Sequence, residues 1–451
     1  MNRTKRKWLA AILTAAMSLT MVPAAFAAED ISDSIATTST TYNAMAEETN
    51  DVQATVASAP VAENAVEAAA SDAVMDENTF RQAVANGGTV NLTGNVTLTG
   101  NTLNIEKAVT IDGADTYSIT YTGTAQNAFQ ITTDEQVTFQ NVTINATASG
   151  KRAICLYADT PHFAFVNGVI NADERAIWMK SGVDVQPGIG AVITISNSEI
   201  LNSRIPDDKT YDNWTTAGSA YRGVALWNLR DADVSVINTD ILGFSYAFYL
   251  GGDAKSVNLN GNVRTVRDYE NTLVTLGNCE LKGWAAVYSW AARATITIGD
   301  TEMLGINNVA SGGANSFATI VIDDGIYGAA PASSSVQDDP FETTFNIYGG
   351  SIKNYSTSES LAANNAQRLI SLDRPGITKF NFGPGSMGEN VVIKDQVGCA
   401  NGVFYNDYMT YNDMVDFLSN KISGTNFCTL YAHNPDVTMN WGIVNELVPA
   451  Q

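Results

Sequence analysis

The sequence repeats one short pattern from residue 137 to residue 352, and this repeat limits what the chain can fold into. Each copy reads apolar-x-apolar-x-Asn/Asp/Gly-x-x-apolar. All three apolar positions are apolar in every full copy, although only 45% of the whole chain is hydrophobic, so chance does not explain the pattern. The full copies are VTFQNVTI (137–144), FAFVNGVI (163–170), ITISNSEI (193–200), VSVINTDI (234–241), VTLGNCEL (274–281), ITIGDTEM (296–303), IVIDDGIY (320–327) and FNIYGGSI (345–352). Two shorter copies, VNLTG (90–94) and VTIDG (109–113), precede them.

The polar residue inside each copy predicts a corner of the chain. The two leading apolar residues share one face of a strand, and the third apolar residue is out of phase with them, so the chain must bend between them. Gly, Asn and Asp are the residue types that tolerate a left-handed backbone. Stacked corners would also let Asn amides hydrogen-bond along a column. We expect one column of ten corners: Gly94, Gly113, Asn141, Asn167, Asn197, Asn238, Asn278, Asp300, Asp324 and Gly349.

Successive full copies begin 22 to 41 residues apart, which leaves room for a further strand in each repeat. That strand is visible as RAICLY (152–157), RAIWMK (175–180), RGVALW (222–227), YAFYLG (246–251) and AAVYSW (285–290). The sequence therefore predicts an all-β fold, a right-handed parallel β-helix with three strands per coil, in which each coil packs on its neighbours. A leucine-rich horseshoe and a β-sandwich fit less well, because LxxLxL spacing and hairpin turns are not seen in the repeat.

The two ends of the predicted β-helix carry signals for caps. Asp76 is a suitable N-cap for a short amphipathic helix with Phe80, Ala83 and Val84 on one face, and Asn86-Gly87-Gly88 ends it. After about Val397 the repeat fades. Residues 410–421 are compatible with a helix and residues 427–444 with strands, so we expect residues 76–397 to form the β-helix and residues 398–451 an irregular C-terminal cap.

The first 27 residues have the features of a secretory signal peptide: a basic start, an apolar stretch from Trp8 to Val22 and the small-residue site Ala25-Phe26-Ala27. We expect export, a secreted or cell-surface location, and no membrane span after the signal is removed. Residues 28–75 contain nine carboxylates, no Lys or Arg, and one aromatic residue, Tyr42. This composition predicts a disordered acidic spacer.

The formal net charge of −22 argues against nucleic acid as a partner, because a chain this acidic repels phosphate backbones. Four cysteines without CxxC or CxH spacing predict neither a disulfide framework nor a zinc site. Cys399 and Cys428 can be a pair or two buried thiols. The two histidines, His162 and His433, are far apart in sequence, so we expect no metal site and no cofactor.

The Asn column, the N-terminal capping helix and the segment Asn86-Gly87-Gly88-Thr89-Val90 resemble the pectate-lyase-type parallel β-helices over roughly residues 76–395. The resemblance implies the fold and an exported protein. It is unspecific for activity, because this group includes polysaccharide lyases, galacturonidases and non-catalytic surface proteins.

The further strand of each repeat has a small residue near its start: Ala153, Ala176, Gly223, Ala247 or Ala286. When these strands are aligned by that residue, they predict an outward row of aromatic side chains, which we call the aromatic wall. Its members are Tyr157, Trp178, Trp227, Tyr249, Tyr288 and Trp290. Arg152, Arg175 and Arg222 hold the position before the small residue. Aromatic faces suit sugar rings and guanidinium groups suit carboxylates, so these residues are candidates for a glycan-binding site. In the competing interpretation, the long insertions 202–220 and 252–272 cover the wall as a satellite core.

Catalytic signals are weak. Residues 204–209, RIPDDK, resemble the RxPxxR run of pectate lyases with Lys in place of the last Arg, and Asp323-Asp324 resembles a galacturonidase carboxylate pair. Arg175, Arg204 and Asp323 are the catalytic candidates.

Two functions therefore remain open. One is a non-catalytic module that contacts extracellular polysaccharide or host glycans, or acts as an adhesin-like stalk; the other is a divergent lyase or hydrolase of uronate-rich polysaccharide, with Ca²⁺ as cofactor only if it is a lyase.

Overall fold

The computed structural model describes residues 73–179, 188–204, 221–306, 318–323, 339–355, 368–372, 378–389, 391–394, 404–405, 421–424, 429–433 and 440–444. The chain divides into two units, residues 1–69 and 70–451, and every described residue belongs to the second unit. The predicted signal peptide and most of the predicted spacer lie outside the described residues. Pairing begins within the last residues of that spacer, because Val74 bridges Asn95 in parallel. No helix in the described segments is long and apolar enough to cross a membrane.

The described part of the chain is a parallel β-helix, as the repeat predicts. Three ladders of parallel strands run through the molecule, and each coil contributes one strand to each ladder. The strand that precedes the corner forms the first ladder. Its members are β1 (Gly88–Asn91), β4 (Val109–Asp112), β7 (Val137–Gln140), β10 (His162–Val166), β13 (Val192–Ser196), β16 (Asp233–Ile237), β20 (Leu273–Gly277), β22 (Thr295–Gly299), β25 (Thr343–Tyr348), β28 (Thr378–Gly383) and β31 (Ile422–Gly424).

The second ladder follows the corner. Its members are β2 (Val96–Leu98), β5 (Ser118–Tyr121), β8 (Thr143–Ala146), β11 (Val169–Ala172), β14 (Glu199–Asn202), the first half of β17 (Asp240–Gly251), the first half of β21 (Glu280–Ser289), β23 (Glu302–Ile306), β26 (Ser351–Tyr355) and β29 (Val392–Lys394).

The third ladder contains the strands that lead to the candidate site. Its members are β3 (Leu103–Ile105), β6 (Asn127–Ile131), β9 (Arg152–Leu156), β12 (Arg175–Met179), β15 (Arg222–Trp227), the second halves of β17 and β21, β24 (Ala318–Ile322), β27 (Arg368–Leu372) and β30 (Phe404–Tyr405).

The corner residues form one column, and most of them have the predicted backbone. The left-handed corners are Asn141, Asn167, Asn197, Asn238, Asn278, Asp300 and Gly349, with φ between 47° and 66°. The backbone amide of each of these residues donates to a backbone carbonyl of the next coil at 2.7–3.0 Å. The side-chain amides also connect along the column: Asn278 donates to Asn238 at 2.7 Å, and Asn238 donates to Asn197 at 3.0 Å.

The prediction was wrong for the first two corners. Gly94 lies two residues beyond the column, because the register places Leu92 beside Gly113, and Gly113 belongs to the column but is not left-handed. In the coil of Gly113 the positive φ values occur at Ala114 and Asp115 instead. Glycine is needed at Gly113 because a Cβ there would lie 2.5 Å from the carbonyl oxygen of Asn141 in the next coil. Asp324 lies outside the described residues.

The N-terminal cap is the helix α1 (Glu77–Asn86). Its N-cap Asp76 accepts a hydrogen bond from the amide of Thr79 at 3.0 Å, and Gly87, with φ 78°, ends the helix. Phe80 and Val84 are fully buried against the first coils. These features confirm the predicted capping helix.

Three strand pairs among the described residues are antiparallel, and they lie in two places. The first is a hairpin of β18 (Lys255–Leu259) and β19 (Asn262–Val266) within the insertion 252–272. The second joins β32 (Thr429–His433) to β33 (Asn440–Val444), and β33 also pairs with β30. The third ladder therefore ends in antiparallel pairing, and the predicted strands of the C-terminal region are present. The helix predicted for residues 410–421 falls almost entirely outside the described residues.

Candidate functional site

The third ladder aligns the residues that the sequence alignment grouped. Arg152, Arg175, Arg222 and Tyr246 are successive register partners. The next inward position holds Ile154, Ile177, Val224, Phe248 and Val287, which are also in register and fully buried. These pairings confirm the predicted alignment of the strands.

On the outward side, Trp178 pairs with Ala225, and Tyr249 pairs with both Ala225 and Tyr288. Cys155 and Ala225 therefore flank Trp178 in this column, whereas Tyr249 and Tyr288 are direct neighbours. Trp227 and Trp290 come from the position two residues further along the strand, where Gly251 is the register partner of Trp227. The rings contact one another in a chain from Trp178 to Trp290, with centroids 4.7–6.4 Å apart.

Of the two interpretations of the wall, the covered one holds for four of its rings. Trp178, Trp227, Tyr249 and Tyr288 are only 7–9% exposed, and they belong to the main hydrophobic core. Tyr157 and Trp290 are half-buried.

The insertion 252–272 does form a satellite core, but this core consists of Val266, Ala292 and Phe341 and contains no ring of the wall. Most of the other insertion, residues 205–220, lies outside the described residues.

The guanidinium groups lie against the rings. Arg152 and Arg175 sit over Trp178 at 4.7 and 4.8 Å from its centroid, and Arg222 sits over Tyr249 at 4.0 Å and over Trp227 at 5.0 Å. We call this group the arginine–aromatic cluster. Its members are Arg152, Arg175, Arg222, Arg267, Trp178, Trp227, Tyr246, Tyr249, Tyr288 and Trp290. Cation–π contacts of this kind hold each guanidinium in a fixed orientation.

One carboxylate is shared between two of the arginines. Glu174 accepts hydrogen bonds from Arg152 at 2.5 and 3.0 Å, and its oxygen lies 3.6 Å from Nε of Arg175. The side chains of Arg152 and Arg175 are 12% and 16% exposed. Burial, together with the like charges of Arg152 and Arg222, lowers the pKa of Arg175 to about 10, although Glu174 opposes this shift. The cluster therefore holds cations close together against their electrostatic repulsion and the loss of hydration. Arg175 nevertheless remains charged at neutral pH.

The tyrosines of the cluster are held in their neutral form. Burial raises the pKa of Tyr246, Tyr249 and Tyr288, and the neighbouring carboxylate of Asp323 also raises the pKa of Tyr288. The Tyr288 hydroxyl donates to Asp323 at 3.0 Å. Asp323, a predicted catalytic candidate, is thus a hydrogen-bond acceptor at the edge of the cluster.

Arg204, another predicted catalytic candidate, lies outside the cluster. It donates to Asp173 at 2.7 and 3.2 Å, and its guanidinium lies 4.4 Å from the Tyr221 ring centroid. Asp173 is buried and also accepts a hydrogen bond from the amide of Gly150 at 2.7 Å. Arg204 therefore joins neighbouring coils through a buried carboxylate.

Three members of the site were missed by the sequence analysis. Tyr246 leads the strand YAFYLG in the alignment and was detectable there, because it holds the position of the three arginines. Glu174 directly precedes Arg175, but nothing in the repeat selects it. Arg267 comes from the insertion 252–272, which has no repeat.

No group of three or more His, Cys, Asp or Glu side chains among the described residues is placed to hold a metal ion. Cys155 and Cys279 are both buried. No protein-family model, curated protein or solved structure matches the chain.

Proposed function

We propose that this chain is an exported, non-catalytic β-helix protein that binds acidic extracellular glycans through the arginine–aromatic cluster. The observation that supports this proposal is the in-register column of Arg152, Arg175 and Arg222, each packed on a ring, in a chain whose net charge is −22. The predicted signal peptide and the resemblance to pectate-lyase-type proteins support export and contact with polysaccharide.

The chemistry of the column favours an anionic ligand. Guanidinium groups bind carboxylates and sulfates through paired, charge-assisted hydrogen bonds. Register partners in a ladder are about 4.8 Å apart, so three arginines in successive coils repel one another, and a bound anion would relieve this repulsion. The lowered pKa of Arg175 is consistent with this cost.

The low solvent exposure of the rings favours contact of a glycan with the guanidinium groups rather than stacking of its sugars on the rings. The rings of Trp178 and Tyr249 are largely covered, and the arginines lie over them. We therefore infer that the rings orient the arginines and that the charged groups of the glycan make the first contacts.

The positions of two catalytic candidates also favour binding over catalysis. Arg204 is engaged by Asp173, and Asp323 by Tyr288. We expect no unsaturated product when the protein is incubated with polygalacturonate and Ca²⁺ and the absorbance of the product is followed. Product formation that is lost in Arg175→Gln would establish the lyase alternative instead.

Binding is tested on the mature chain by affinity electrophoresis and calorimetry with polygalacturonate, chondroitin sulfate and a neutral galactan. We expect the two acidic glycans, and not the galactan, to bind. Arg175→Gln should weaken binding about ten-fold or more, because charge-assisted hydrogen bonds are lost. Lys107→Gln is the matched control, since it removes one positive charge from an exposed position outside the cluster. Equal affinities of the two variants would contradict the proposal.

A further inference from the structure

The cluster has a distinct end at Trp290, which directly follows strand β21. The backbone amide of Trp290 donates to the carbonyl of Leu250 at 2.9 Å, so its place in the ladder is fixed. Its ring stacks on Tyr288 with centroids 5.9 Å apart and an interplanar angle of 24°.

The insertion 252–272 brings a guanidinium to this end. Arg267 lies 3.7 Å from the centroid of the Trp290 ring, and its Nε donates to the carbonyl of Gly252 at 2.8 Å. The segment after the hairpin is itself anchored, because the amide of Ala292 donates to the carbonyl of Arg267 and the amide of Tyr269 donates to the carbonyl of Ala292. Arg267 is therefore held beside Trp290 by backbone hydrogen bonds on both sides.

Trp290 carries a buried donor without an acceptor. Its indole nitrogen is shielded from solvent and has no hydrogen-bond partner in the described structure. By contrast, the indole nitrogen of Trp178, at the other end of the cluster, donates to Asn127 at 3.3 Å. Buried donors are normally satisfied, so an orphan indole N–H on a ring that a guanidinium covers indicates a place where an external oxygen is accepted.

We propose that Trp290 and Arg267 form an oxyanion-binding position at this end of the cluster, which takes a carboxylate or sulfate oxygen. The indole N–H donates one hydrogen bond to the oxyanion, and the guanidinium supplies the compensating charge. The identity of the ligand as an acidic glycan rests on the proposed function, whereas the position itself depends only on these two residues. The hairpin insertion thus adds a cation to the column that the repeat alone would not provide.

The direct test uses the mature chain labelled with ¹⁵N at tryptophan and titrated with sodium sulfate against sodium chloride at matched ionic strength. Indole N–H signals are assigned with Trp290→Phe and Trp178→Phe. We expect the Trp290 signal to shift saturably with sulfate, the Trp178 signal to stay in place, and the shift to disappear in Arg267→Gln but persist in Arg267→Lys. A Trp290 signal that does not move, or that moves equally in Arg267→Gln, overturns the proposal.

A second measurement separates this inference from the proposed function. Trp290→Phe keeps an aromatic ring and removes the orphan donor, so we expect about five-fold weaker binding of polygalacturonate with an unchanged melting temperature. Trp178→Phe, which breaks the hydrogen bond to Asn127, should lower the melting temperature. If Arg175→Gln weakens glycan binding but Trp290→Phe does not, the oxyanion position fails and the proposed function stands. If no acidic glycan binds while sulfate still shifts Trp290, the proposed function fails and the position stands.

Discussion

At the scale of single residues, the asparagines of the corner column combine two roles. Their φ values near 50° place them in a backbone region that costs most L-residues about 1 kcal/mol or more. The same side chains connect successive coils, because each amide has both a donor and an acceptor. Asn238, for example, donates to Asn197 and accepts from Asn278. Asparagine suits this column better than glycine or aspartate because it serves both purposes.

Substitutions at Asn238 separate the two roles. Asn238→Gly keeps the left-handed backbone and loses the two side-chain hydrogen bonds, so we expect a loss of about 1–2 kcal/mol in the free energy of unfolding. Asn238→Ala adds the backbone strain, for a loss of about 2–3 kcal/mol. Denaturant unfolding measures both, with Asn104→Ala as an exposed control. Equal losses for Gly and Ala would show that the backbone conformation contributes nothing.

A second residue-scale prediction concerns Glu77 in the first turn of α1. Burial raises its pKa, but hydrogen bonds from the Thr99 side chain and amide, from Arg81 and from the Gly100 amide outweigh it and lower the pKa to about 2. Because the folded-state pKa lies below the unfolded value of 4.5, this stabilisation is present above pH 4.5 and is lost as the pH falls towards 2.

Glu77→Gln should therefore destabilise the chain by about 1–2 kcal/mol at pH 7 and have little effect near pH 2. Unfolding midpoints measured across this pH range check the prediction. A variant that is equally destabilised at both pH values would show that the shape of the side chain, rather than its charge, is responsible.

The sequence predicted those single-residue features for which a local backbone conformation restricts the residue type. Asn141 and Asn167 were recognised because few side chains accept a left-handed corner. The contact of Arg267 with Trp290 could not be predicted, since Arg267 lies in an insertion whose path depends on tertiary packing.

At the scale of elements, the hairpin β18–β19 is held in two different ways. Its base is fixed by Tyr269, which is fully buried and donates to the Gly251 carbonyl at 2.6 Å, and by Arg293, which donates to Asp268 at 2.7 and 2.8 Å. Its body rests on the small satellite core and on one ion pair, Arg264 with Asp339 at 2.7 Å. The body should therefore open more easily than the coils.

Asp339→Asn tests this difference in stability. The substitution leaves the largely buried guanidinium of Arg264 without its carboxylate, which costs roughly 3 kcal/mol. We expect faster hydrogen exchange in residues 255–266 and unchanged exchange in the coil strands β13 and β16. Asp233→Asn, at an exposed position, is the charge-matched control. Faster exchange throughout the coils would show that the hairpin and the coils unfold as one unit.

Strand positions were predictable because alternation in the repeat records which side faces the core. The repeat left burial of the outward face open between two interpretations, because burial depends on neighbours from other segments. Trp178 and Tyr249 have the alternation of outward residues yet are largely buried. The hairpin itself has a turn signal in the sequence. Asn260 and Gly261, both left-handed, form the two-residue turn between its strands.

At the scale of the whole molecule, a cationic cluster lies in a strongly acidic chain. The net charge of −22 repels an acidic glycan at long range, whereas the partly buried guanidinium groups attract it at short range. Salt screens the long-range repulsion more than the short-range contacts. We therefore expect the association rate constant for polygalacturonate to rise as salt increases from about 10 to about 150 mM. Stopped-flow measurements check this, and a monotonic fall with salt would indicate that binding occurs at an exposed basic surface.

The register of the coils limits how the length of this chain can change during evolution. Each first-ladder strand pairs with the next without a shift, as in the matching of residues 192–196 with 233–237 and 273–277. A duplication or deletion of one complete coil preserves every pairing above and below it. Adding a single residue inside a strand turns the rest of that strand over and exposes its core side chains to water. Evolution can therefore lengthen this molecule in whole coils or in its loops, and hardly anywhere else.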